Sequence, residues 1–131
     1  MDTILLVESD LALREQLIFV LQHQGFRVAA VSGGDEAVAE IGAGPCDLIV
    51  MAESNHRCNG DELCIRIREI SDAPIIVLGR DEQEAGGANF LEMGADAYLT
   101  SPLNLRELLA RICSLLRRTR ANVTEAKEGI A

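Results

Sequence analysis

Tryptophan is absent from this chain, and aromatic residues are few: one Tyr and three Phe in 131 residues. That excludes a base-stacking surface and a flavin pocket built on aromatic walls. Basic residues are outnumbered, with 12 Lys plus Arg against 21 Asp plus Glu and a net charge of -9. Such a surface repels nucleic acid phosphates, so direct DNA or RNA binding by this domain is not expected. No segment approaches the roughly 18 consecutive apolar residues of a membrane helix, so no membrane contact is expected. Met1-Asp2-Thr3 carries no basic segment and no signal-like apolar stretch follows it, which implies a cytoplasmic protein. Neither Gly33-Gly34 nor Gly86-Gly87 has the lysine or the spacing of a phosphate-cradling loop. His23 and His56 cannot be tied to any nucleophile, so no catalytic set is visible and enzymatic turnover is not expected.

What is present suits one ordinary domain. Apolar residues make up 48% of the chain and charged residues 25%, enough for a packed core under a polar surface. Charge is unevenly spread: residues 1–105 hold 18 acids and 6 bases, whereas residues 106–131 hold 3 acids and 6 bases. Short apolar runs alternate with helical periodicity. Thr3–Val7, Phe26–Val31, Cys46–Met51, Ile75–Leu78 and Ala97–Thr100 read as strands. Asp10–Gln24, with Leu13, Leu17 and Leu21 on one face and Gly25 as its stop, reads as a helix. Asp35–Ile41, Gly60–Ile70, Asp81–Met93 and Leu103–Arg118 read as four more. Strands apolar on both faces, alternating with helices, imply a parallel sheet covered on both sides. Residues 1–118 form the domain, and 119–131 read as a frayed helix end or the start of a linker.

In such sheets, function gathers beyond the carboxyl ends of the strands. That places Glu8, Ser9 and Asp10 after the first strand, Ala52 and Glu53 after the third, Gly79 after the fourth and Ser101 after the fifth. Glu8, Asp10 and Glu53 can make one acidic pocket able to hold Mg²⁺. Equally, Asp10 can cap the first helix and Glu8 can sit in solvent.

These segments resemble the receiver domain of bacterial two-component response regulators. The resemblance runs over about residues 3–118. It is carried by Ile4-Leu5-Leu6-Val7-Glu8, Leu13-Arg14, Pro45 to Val50, Gly60-Asp61-Glu62-Leu63, Pro74-Ile75-Ile76, Gly94-Ala95-Asp96-Ala97-Tyr98-Leu99 and Pro102. Leu105–Arg118 resembles the last helix of the subfamily that carries a winged-helix DNA-binding domain. The resemblance implies a flavodoxin-like (βα)5 doubly wound α/β fold, with five parallel strands in the order 2-1-3-4-5.

The chemistry that the resemblance implies does not carry over. A receiver accepts a phosphoryl group on an Asp at the end of the third strand, and that position is Ala52. The second member of the Mg²⁺-binding acidic pair is Ser9, although Glu8 remains. The hydroxyl after the fourth strand is Gly79, and the lysine after the fifth is Ser101. An alanine cannot form an acyl phosphate, and without hydroxyl and lysine a phosphoryl group loses its charge-assisted contacts. The expectation is a pseudo-receiver with weakened Mg²⁺ binding and no cofactor. Glu53 is the nearest carboxylate to Ala52, but period-2 alternation turns it away unless the loop relaxes.

The family signals through the fourth helix, fifth strand and fifth helix, with an aromatic on the fifth strand at the position of Tyr98. Without a hydroxyl at 79, Tyr98 is either fixed in one state or simply covers the sheet edge. Asp96, Glu107, Arg111 and Arg118 match dimer salt-bridge positions of the winged-helix subfamily, while Gly87 and Ala97 break the pattern. Gly86-Gly87 also makes the fourth helix weak, so it is expected to be short, mobile or shifted. The partners implied are a second copy through this face or another signalling protein. The role is regulation of transcription through an attached or partner DNA-binding domain, since 119–131 are too few to hold one. A competing reading takes His56, Cys58 and Cys64 as a metal or thiol redox site, with Cys46 and Cys113 in the core.

Overall fold

The computed structural model describes residues 2–55, 58–79 and 90–130, with side chains described throughout except at 54–55, 58–61 and 121–130. Five parallel strands form one sheet: β1 (Thr3–Val7), β2 (Arg27–Val31), β3 (Leu48–Ala52), β6 (Ile75–Gly79) and β7 (Ala97–Thr100). Their order is β2-β1-β3-β6-β7, which is the doubly wound order expected from the resemblance. Helices among the described residues include α1 (Leu11–His23), α2 (Gly34–Ala43), α3 (Gly60–Arg68) and the C-terminal α4 (Leu105–Ile130), and residues 90–92 are also helical. A two-residue antiparallel pair, β4 (Ser54–Asn55) with β5 (Cys58–Asn59), occupies what the sequence pattern gives as a polar loop.

Burial follows the strand order. All residues of β3 and β6 are buried, whereas edge strand β2 is half-exposed. Alternate residues feed two cores. Ile4, Leu6, Leu48, Val50, Ile76 and Leu78 pack beneath α1 and α4. Leu5, Val7, Ile49, Met51, Ile75 and Val77 pack with Ala37, Leu63, Ile67 and Phe90 on the other face. The continuous apolar runs thus arise because both faces of each central strand are covered.

Local chemistry sets the helix ends. The Asp10 carboxylate accepts the Leu13 N–H at 3.2 Å and caps α1. Gly25, at φ 93°, ends α1 in the left-handed region, and the Phe26 N–H returns to the Leu21 carbonyl at 3.2 Å. Asn104 caps α4 through the Glu107 N–H at 3.1 Å, so this helix starts two residues later than the periodicity suggests. It then continues to Ile130. Residues 119–130 therefore extend a helix of 26 residues, about 39 Å long. Arg120 pairs with Asp2 near the start of that extension. Among the described residues, no helix is long and apolar enough to cross a membrane.

The amino-terminal end of the sheet is closed by a guanidinium. Arg68, at the end of α3, donates to the carbonyls of Gly94, Ser71 and Ala73 and pairs with Asp96 at 2.8 Å. The Asp96 carboxylate also accepts the Ile75 N–H at 2.8 Å. One arginine thus ties α3 to the entries of β6 and β7. Gly94, at φ 112°, leaves the space in which the Arg68 stem lies, where a Cβ would come within 2.8 Å of Arg68 Cγ.

Candidate functional site

At the opposite, carboxyl end of the sheet lies a cavity of about 120 Å³. Glu8, Asp10, Ala52, Glu53, Gly79, Thr100 and Ser101 supply its polar rim and floor, and Leu13, Leu78, Leu99 and Leu103 its apolar walls. β1, β3, β6 and β7 all end here because their registers align: Val7 pairs with Met51, Ala52 with Leu78, and Gly79 with Thr100. The sheet therefore brings Glu8, Asp10, Ala52, Glu53, Gly79 and Ser101 to one place. Ser9 is exposed and does not line the cavity.

Each polar group has a definite role. Glu8 is only 6% exposed. Its Oε2 accepts the Asp10 N–H at 3.0 Å, and its carbonyl accepts Arg14 Nη1 at 3.0 Å. Glu8 is thus a buried part of the turn into α1, not the solvated acid that one sequence reading allowed. Asp10 spends one oxygen on the α1 cap. The Ser101 hydroxyl turns back to the Gly79 carbonyl at 3.3 Å, which the Ser101 N–H also reaches at 3.2 Å. Ala52 contributes a methyl group to the lining. No Lys or Arg lines this cavity among the described residues.

This donor set is a weakened one for Mg²⁺. An octahedral magnesium site needs carboxylates free to face the ion. Glu8 and Asp10 each commit an oxygen to a backbone N–H, and positions 9 and 52 supply none.

Glu53 departs from simple alternation. β3 ends at Ala52, and the chain bends at Glu53 while its N–H still reaches the Leu78 carbonyl at 2.8 Å. The bend lets Ala52 and Glu53 face the same cavity. Glu53 Oε1 accepts the Tyr98 hydroxyl at 3.0 Å. The Tyr98 ring lies over Gly79 and stacks on Phe90 with centroids 5.7 Å apart. This contact is the feature that sequence reasoning missed: Glu53 and Tyr98 stand 45 positions apart, and no local pattern pairs them.

The other predicted positions scatter. Glu107, Arg111 and Arg118 are exposed on α4. Asp96 is engaged within the chain by Arg68 and the Ile75 N–H. His56 and the side chain of Cys58 lie outside the described residues, as does the 80–89 stretch that holds most of the predicted fourth helix. Cys64 is fully buried against the second core, with its thiol 3.7 Å from the Met93 carbonyl. Burial pushes that thiol up, Arg68 opposes the rise and Asp96 adds to it. A thiol held protonated in a core is a poor ligand and a poor nucleophile. Cys46 is half-buried, whereas Cys113 is exposed and not in the core, because it falls on the outer side of α4. Among the described residues no cluster of three His, Cys, Asp or Glu could hold a metal ion.

The response regulator receiver domain model matches residues 4–113. The chain belongs to the receiver domain family of two-component response regulators. It is similar to the sensory transduction protein RegX3 of Mycobacterium tuberculosis, with 32% identity covering 99% of this chain and 57% of that protein. The response regulator MprA of Mycobacterium leprae shares 37% identity over 98% of this chain and 56% of its own length. The transcriptional regulatory protein YvrH of Bacillus subtilis shares 36% over 89% of this chain and 50% of its own. The chain therefore spans about half the length of the curated relatives it matches. Among solved structures, a two-component response regulator from Clostridium difficile superposes with a TM-score of 0.87 at 28% identity, covering 91% of this chain and 98% of that one. The receiver domain of TorR, the response regulator of the TMAO respiratory system, gives 0.84 at 30%, covering 90% and 98%.

Proposed function

We propose that this receiver works without phosphorylation, as an interaction module of a two-component pathway. The observation that carries this reading is the carboxyl end of the sheet: Ala52, which the family resemblance puts at the acceptor position, lines the cavity without a carboxylate, and the Ser101 hydroxyl is turned back onto the Gly79 carbonyl. With no carboxylate at 52 there is no side-chain oxygen at that position to attack a phosphodonor, and with no Lys or Arg among the described residues of the lining a phosphoryl dianion lacks a neutralising partner there. Three carboxylates around the cavity add repulsion for such a group.

The module would present β7, the segment before it and α4 to a second copy or to another signalling protein. Glu107, Arg111 and Arg118 support this use, since spacings of four and seven keep them on one side of an exposed helix. Asp96 gives less support, because Arg68 already claims its carboxylate. Exposed ion pairs contribute only about 0–1 kcal/mol each, so apolar contacts must supply most of the affinity. Regulation of transcription through an attached or partner DNA-binding domain agrees with what the name of YvrH says of that relative. The metal or thiol sensor built on His56, Cys58 and Cys64 is disfavoured by the buried, raised Cys64 thiol.

Incubation with a small phosphodonor and Mg²⁺ tests the proposal. The chain should keep its intact mass, and its sedimentation profile should be the same with and without the donor. A stoichiometric phosphoryl adduct overturns the reading.

A further inference from the structure

Three residues that the phosphoryl chemistry leaves idle fit one another closely. A Cβ built on Gly79 would fall on the Tyr98 hydroxyl and Cζ and 2.9 Å from Cε1. Tyr98 therefore occupies space that any other residue at 79 would fill. The Gly79 backbone cannot retreat to make room. It is paired with Thr100 in the sheet, and its carbonyl accepts both the N–H and the hydroxyl of Ser101. The phenol that enters this space ends on a carboxylate, with the hydroxyl donating to Glu53 Oε1 at 3.0 Å. A hydrogen bond to a charged acceptor in a part-buried site is stronger than a neutral one. On its other side the ring stacks on Phe90, itself 5% exposed, at the start of the described part of the output segment.

We propose that Gly79, Tyr98 and Glu53 form a standing latch that holds the output face in one conformation. Glycine admits the ring, the Glu53 carboxylate retains the hydroxyl, and Phe90 carries the ring's position to the segment before β7. The inference rests on the phosphorylation-independent reading for its purpose: a receiver with no switching chemistry presents a single, permanent face. The roles are positional. Glu53 and Gly79 act through Tyr98 and touch no substrate.

The composition provides a clean probe, because Tyr98 is the only tyrosine. Protein labelled with 3-fluorotyrosine gives one fluorine resonance, read by ¹⁹F NMR with and without a phosphodonor and Mg²⁺. The latch predicts one sharp resonance, unmoved by the donor. Gly79→Ala should shift it towards the solvent-exposed value, since the methyl takes the place of the hydroxyl. Glu53→Ala should lower the ratio of latched to released ring by about tenfold, the effect of losing a hydrogen bond to a charged acceptor. Circular dichroism melts establish that each variant is folded, and Glu53→Ala keeps the test open if Gly79→Ala does not fold. Two resonances in the parent protein, or folded Gly79→Ala and Glu53→Ala proteins with the parent signal, overturn the latch. The mass measurement is independent: a phosphoryl adduct with an unmoved resonance removes the proposed function and leaves the latch, whereas a split resonance without an adduct does the reverse.

Discussion

The two ends of the sheet carry opposite kinds of chemistry. At the amino-terminal end, Arg68 and Asp96 hold α3, β6 and β7 together with several hydrogen bonds, two of them to the Ser71 and Ala73 carbonyls. That end does structural work, and its residues agree with the family pattern that runs from Pro74 through Asp96. At the carboxyl end the strands stop at the same level, yet on the proposed reading Ser9, Ala52, Gly79 and Ser101 replace the reactive or phosphoryl-binding groups that the family resemblance implies. On that reading the scaffold is kept while the reaction is removed. The contrast teaches where the fold is held: two apolar layers and an arginine clamp hold the strands, and the cavity residues add only a cap and the proposed latch.

Perturbing each end should show this asymmetry. Arg68→Ala should have the largest effect. It strips hydrogen bonds from the carbonyls of Ser71, Ala73 and Gly94 and leaves the Asp96 carboxylate without its cation. A loss of about 3 kcal/mol is expected in urea unfolding, in the range for charge-assisted hydrogen bonds of a part-buried group. A loss no larger than that of a surface pair would remove the structural distinction. At the other end, Asp10→Ala should cost about 1 kcal/mol, the usual effect of losing an N-cap, with no other consequence for the fold. Arg66→Ala should be smaller still, at most about 0.5 kcal/mol, because its partner Asp35 is 95% exposed and salt screens the pair. Double-mutant cycles between Arg66 and Asp35 would check that value.

A fourth test uses pH and has no effect at neutrality. Burial raises the Cys64 and Cys46 thiols in the folded chain. Unfolded thiols titrate near 8.5. Above that pH the unfolded chain binds fewer protons than the folded one, so stability falls as pH rises towards the folded values. It is fully present below about pH 8. The double variant Cys46→Ala, Cys64→Ala should flatten the slope between pH 8 and pH 10 in urea melts. An equal slope in parent and variant would show that these thiols ionise freely in the fold.

Much of this was legible in the sequence, for physical reasons that differ by element. β3 and β6 were visible because burial on both faces demands unbroken apolar runs such as Leu48-Ile49-Val50-Met51 and Ile75-Ile76-Val77-Leu78. The end of α1 was visible because only glycine sits easily at the positive φ of residue 25. The positions proposed for the lost site rest on family resemblance, not on periodicity. What escaped depends on contacts distant in sequence. The Arg68 clamp joins residues 28 positions apart, and nothing in the α3 pattern distinguishes Arg68 from solvent-facing Arg66. Cys113 reads as core by residue type, but the angular position of α4 leaves it exposed. The turn of Glu53 into the cavity depends on β3 ending one residue earlier, which alternation alone cannot supply.

The most direct test of the account compares this chain with a variant in which the four replaced positions are restored together: Ser9→Asp, Ala52→Asp, Gly79→Thr and Ser101→Lys. Both are incubated with the same small phosphodonor and Mg²⁺ and weighed intact. The account predicts no phosphoryl adduct on the parent and an acid-stable, alkali-labile adduct on the restored protein, because the scaffold already brings positions 52, 79 and 101 together beside Glu8. A phosphoryl adduct on the parent chain would contradict it.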